Sequence, residues 1–70
     1  MNKVSVLPSS GAAFADVRDN GRSLRVAWHA SEEFFVLSIW RDGVCVATSR
    51  VDRATSADLI DTLVRHLAAG

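Results

Sequence analysis

From Ser23 to Ala30 the chain alternates with a period of two. Leu24, Val26, Trp28 and Ala30 point one way, and Ser23, Arg25, Ala27 and His29 the other. That period marks a half-buried strand. Phe34 to Trp40 is a nearly unbroken apolar run, Asp42-Gly43 follows, and Val44 to Val51 is a second β-rich run. Two such runs separated by Asp-Gly predict a β-hairpin, because Asp-Gly supplies the positive φ angles of a tight turn. Asp19-Asn20-Gly21 predicts another turn ahead of the first strand.

The period then changes. Ile60, Leu63, Val64 and Leu67 stand at i, i+3, i+4 and i+7, one apolar stripe of a helix. Thr55 or Ser56 is the expected N-cap, with Asp58 three residues after Thr55. Asp61 and Arg65 form an i, i+4 pair with the acid first, the better orientation. Upstream, Ala12 to Arg18 reads equally as a helix turn or as an alternating strand, and Pro8-Ser9-Ser10-Gly11 is a loop by composition. The predicted fold is α+β: an antiparallel β-meander of three to four strands, then one C-terminal helix packed on one sheet face. Residues 1–11 are read as a loose N-terminal arm or short edge strand, and 12–70 as a single small domain.

The paired strands leave a problem of coverage. With Asp42 and Gly43 as the two loop residues, Arg41 pairs with Val44, Trp40 with Cys45 and Ile39 with Val46. One face then carries Phe35, Leu37, Ile39, Val44 and Val46. The other carries Phe34, Val36, Trp40, Cys45, Ala47 and Val51, with Ser38 and Ser49 among them. An antiparallel sheet with one wet face should be apolar on one side and polar on the other. The helix is expected on the aliphatic face, where Leu, Ile and Val match its stripe. The aromatic face then needs another cover.

Length sharpens this. Seventy residues make one domain, and a chain of that size buries only about 60% of its unfolded surface. Small domains gain stability from disulfides, a metal or a partner chain. Cys45 is the single cysteine, so no disulfide forms within the chain. His29 and His66, 37 residues apart, match no zinc spacing. No metal or cofactor is expected. The apolar fraction of 49% is ample for association. A second copy of the chain is therefore the expected partner, with another protein as the alternative. Phe34, Val36, Trp40, Cys45 and Trp28 are the expected contact surface.

The formal net charge is zero, which argues against strong nonspecific binding to nucleic acid. No apolar run approaches the roughly 20 residues of a membrane-spanning helix. Val4 to Leu7 is too short for the apolar region of a signal peptide, despite the Ala13-Phe14-Ala15 that imitates a cleavage site. The expected compartment is the cytoplasm, which suits a lone cysteine. Arginine over lysine, with many alanines and valines, points to a GC-rich bacterial genome. Cys45, mid-strand beside Trp40, is read as a small buried hydrophobe rather than a nucleophile. His29 has no evident nucleophile or orienting acid, and the glycines form no phosphate loop. No enzymatic activity is expected. The domain reads as an accessory or regulatory protein that works by association.

The alternative is single-stranded nucleic-acid binding, with Arg25, His29, Arg41 and Arg50 contacting phosphates and the aromatics stacking on bases. The order of a strand meander followed by a helix, over about residues 12–70, resembles that of the positive-cofactor-four type of single-stranded-DNA-binding coactivator, which forms dimers. The likeness is one of element order. The many lysines of those proteins are missing here, where Lys3 is the one lysine.

Overall fold

The computed structural model describes residues 4–7 and 11–69. Five strands, β1 (Val4–Leu7), β2 (Gly11–Ala15), β3 (Arg22–His29), β4 (Phe34–Arg41) and β5 (Val44–Asp52), precede one helix, α1 (Arg53–Ala69). Each strand pairs antiparallel with the next, so the sheet order is the chain order. This is the expected α+β meander followed by a C-terminal helix. It has more strands than predicted because the upstream segment joins the sheet. Val4 pairs with Phe14 and Val6 with Ala12, and Ala12 to Ala15 continue onto β3. Alternation in this segment prevails over its helix-forming alanines, since β3 supplies the ladder partners that an isolated helix turn lacks.

The turns follow their residue chemistry. Asp42 and Gly43 both have positive φ, 50° and 83°, the signature of a primed two-residue hairpin turn. The β2–β3 connection bends at Asp19 (φ 51°) and Gly21 (φ 79°). The Asp42 amide donates to the Gly21 carbonyl at 2.9 Å, so the two turns brace each other. The Asp16 carboxylate accepts the Arg18 amide at 2.9 Å and its guanidinium at 2.6 Å. These bonds, first from the side chain and then from the backbone of Arg18, hold the Asp16 carboxyl well below the usual carboxylate range.

The β4–β5 hairpin departs from the simple register in one place. Arg41 pairs with Val44 and Trp40 with Cys45 as expected, but Ile39 pairs with Ala47. Val46 is the extra residue of a β-bulge. Beyond it every β5 residue is displaced by one. Ala47, Ser49 and Val51 therefore lie on the side of Ile39, Leu37 and Phe35, opposite to the face a bulge-free hairpin gives them.

The helix begins earlier than its sequence signals suggest. The Asp52 carboxylate accepts the Thr55 amide at 2.8 Å, so Asp52 is the N-cap and Thr55 lies inside the first turn. The Thr55 bond also lowers the pKa of Asp52. Asp52 is the last residue of β5 and is paired with Phe34, and the strand runs into the helix with no loop between. The predicted Asp61–Arg65 pair forms, at 2.8 Å.

The helix meets the sheet over β4 and β5 and lies on the side of Phe35 and Leu37. It packs on that surface but leaves the apolar side chains between them partly open. Among the described residues no hydrophobic side chain is buried, and Ser38 alone is buried. The radius of gyration is 12.9 Å, against about 11 Å for a compact chain of this length.

Candidate interaction surfaces

The helix side of the sheet is apolar. Leu24, Val26 and Trp28 of β3 stand opposite Ile39, Leu37 and Phe35 of β4. Trp28 and Phe35 pack with ring centroids 4.7 Å apart, tilted by 51°. The Arg53 guanidinium sits 5.4 Å from the Trp28 ring and is paired with Glu33 at 3.1 Å. Between sheet and helix runs a cleft of about 390 Å³. Phe14, Leu24, Val26, Phe35 and Leu37 form its floor, and Leu59, Ile60 and Leu63 its roof. Much of the helix stripe faces solvent: Ile60 is 62% exposed, Val64 57% and Leu67 80%.

The opposite side of the sheet mixes aromatic rings with arginines. The Arg25 guanidinium lies 3.8 Å from the Trp40 ring centre, close enough for a cation–π contact. The Trp40 indole N–H donates to Ser38 Oγ at 2.8 Å. His29 stacks on Phe34, its partner across the ladder, with centroids 5.5 Å apart. The Arg50 guanidinium also lies over the Phe34 ring, 5.2 Å from its centre. The Arg25 Nε is buried and has no hydrogen-bond partner among the described residues.

Of the expected contact residues, Phe34, Val36 and Trp40 share this second face. Trp28 does not: it is opposite Phe35 on the helix side. The strict alternation of β3 already separates Trp28 from His29 and Arg25, and the β3–β4 register carries that separation onto β4. Cys45 pairs with Trp40 but is exposed rather than buried, because β5 is the edge of the sheet and its end near the bulge has no cover. Its sulfur donates to the Ala47 carbonyl at 3.6 Å. Of the arginines and histidine proposed for nucleic-acid contact, Arg25, His29 and Arg50 gather on the second face. Arg41 falls out of the group, since it shares its parity with Ile39 and pairs with Arg22 at the strand end.

Two contributors escape the sequence patterns. Phe14 lies in a segment whose structure the sequence leaves ambiguous. Leu59 sits beside the stripe rather than in it, although its spacing to Leu63 is the i, i+4 that marks a shared helix face. Among the described residues no cluster of His, Cys, Asp or Glu can hold a metal ion, and no helix is long and apolar enough to cross a membrane. The chain matches no family model, no curated protein and no solved structure.

Proposed function

We propose that this chain is a non-enzymatic interaction domain that works as a homodimer, joined through its helix side. The supporting observation is that no hydrophobic side chain is buried among the described residues. A compact monomer of 7.6 kDa exposes about 4,300 Å² by the scaling of surface with mass. This chain exposes 5605 Å², an excess of roughly 1,300 Å² over that scaling. A standard interface takes about 800 Å² from each partner. The excess is larger than that and falls in the range of about 1,000–2,500 Å² that each partner of an obligate homodimer buries, and the exposed Ile60, Leu63, Val64 and Leu67 stripe with the neighbouring cleft gives it the right chemistry. A formal net charge of zero means that two copies do not repel one another.

The aromatic face is a weaker candidate for the dimer contact than its composition suggests. Arg25 and Arg50 already lie against Trp40 and Phe34, so its rings are partly covered and its surface is cationic. A dimer joined through the helix side leaves this face outward on both copies, as the surface for an accessory or regulatory partner. Linked folding and association make the thermal midpoint rise with protein concentration. Melting followed by circular dichroism across a hundredfold range of concentration tests this reading. A midpoint independent of concentration contradicts it.

A second reading is favoured by the same outward face. Arg25, Arg50 and His29 beside Trp40 and Phe34 combine cationic groups with stacking surfaces, as sequence-tolerant single-strand binders do. Fluorescence anisotropy with a labelled single-stranded oligonucleotide at low and high salt tests it. Binding that weakens steeply with salt supports this reading, and no binding at low salt ends it.

A further inference from the structure

Resting on the homodimer reading, we infer that the C-terminal half of α1 from one copy seats Val64 and Leu67 in the apolar cleft between helix and sheet of the other. The cleft and the protruding side chains are complementary. The cleft is floored by Phe14, Phe35 and Leu37 and roofed by Leu59 and Leu63, and Ser56 is the one residue with a polar side chain on its wall. Val64 and Leu67 are the two stripe residues that do not line it, and both are more than half exposed, 57% and 80%. A cavity of about 150 Å³ holds a benzene-sized group. At about 390 Å³ the cleft takes both side chains.

Symmetry makes a second copy the fitting occupant. In a two-fold contact, if Leu67 of one copy touches Phe35 of the other, the reverse contact forms as well. One association then fills this cleft in both copies and covers the exposed part of both stripes. The nearby charges do not oppose insertion. Asp61 and Arg65, on the flank of the helix, are paired with each other at 2.8 Å.

The test uses the full chain. Isotope-labelled and unlabelled protein are mixed, and a filtered nuclear Overhauser experiment records only contacts between copies. The expected result is cross-peaks from the Val64 and Leu67 methyls of one copy to the Phe14 and Phe35 rings of the other. In parallel, Leu67→Glu should raise the dimer dissociation constant at least tenfold. Because Leu67 is so exposed, the fold of each chain should keep its circular dichroism spectrum. A dimer whose cross-chain peaks come instead from the Trp40 and Phe34 rings, or from helix contacting helix alone, overturns the helix-in-cleft arrangement and leaves the homodimer standing. A monomer at all concentrations overturns both.

Discussion

Arg25 and Trp40 stand diagonally across the β3–β4 ladder, Arg25 opposite Ser38 and Trp40 opposite Ser23, with the guanidinium 3.8 Å from the indole centre. Diagonal neighbours on one face are within reach of long side chains. Arg25 is therefore a lid on the ring. Its removal should expose the indole to water, shift the Trp40 emission to the red and cost about 0.5–1 kcal/mol of stability. Fluorescence of Arg25→Ala on a Trp28→Phe background isolates the Trp40 signal. An unshifted spectrum would mean the contact does not persist in solution.

Gly21 and Asp42 couple the two turns. Gly21 has φ 79°, and a Cβ built on it would run into the Asp42 carboxylate. An alanine there meets both backbone strain and a clash, so Gly21→Ala should lower unfolding free energy by roughly 1–2 kcal/mol. Chemical denaturation of the two proteins at equal concentration measures the difference. Asp42→Ser combined with Gly21→Ala should recover part of the loss, because it removes the carboxylate oxygen nearest the new methyl group.

Asp52 is both the end of β5 and the cap of α1. The bond from the Thr55 amide lowers its pKa in the folded state. The unfolded carboxyl titrates near its ordinary value of about 3.9. The contribution of the ionised cap is therefore complete above that value and is lost as pH falls through the lower folded one. Asp16, held low by Arg18, acts in the same direction. Asp52→Asn keeps a capping oxygen and should flatten part of the acid-side loss of helix signal, and Asp52→Ala should lower the melting temperature at neutral pH.

The two sheet faces make opposite predictions for assembly. Leu63→Gln, on the helix side, should weaken the dimer by about tenfold or more, which is 1.4 kcal/mol or above. Phe34→Gln, on the arginine face, should leave association unchanged and abolish whatever oligonucleotide binding the wild-type chain shows. Sedimentation velocity and anisotropy on both variants separate the roles. The reverse pattern would move the dimer contact to the aromatic face.

Local chemistry made much of this fold legible in the chain itself. Asp42-Gly43, the alternation from Ser23 to Ala30 and the Ile60–Leu67 stripe are short-range signals, and each corresponds to an element. The upstream strands are legible only as alternatives, an edge strand or loose arm over residues 1–11 and a strand or helix turn from Ala12 to Arg18, and pairing of Ala12 to Ala15 with β3 decides for the strand. The bulge at Val46 was hidden. One unpaired residue reverses the faces of Ala47, Ser49 and Val51, and neither a glycine nor a polar break marks it. The helix is capped by Asp52 rather than by Thr55 or Ser56, because Asp is a stronger N-cap than Thr and its carboxylate accepts the Thr55 amide. At the candidate surfaces, the excess of apolar area was visible from the two-sided hairpin. Its location was not, because it depends on how far the helix stands from the sheet and on where the arginines lie.

The most direct measurement is the solution mass. Sedimentation equilibrium from about one to a hundred micromolar should give the mass of two chains, with dissociation only towards the dilute end. A cooperatively folded chain that keeps the mass of one copy across that range would contradict the homodimer and, with it, the assignment of the helix side as the interface.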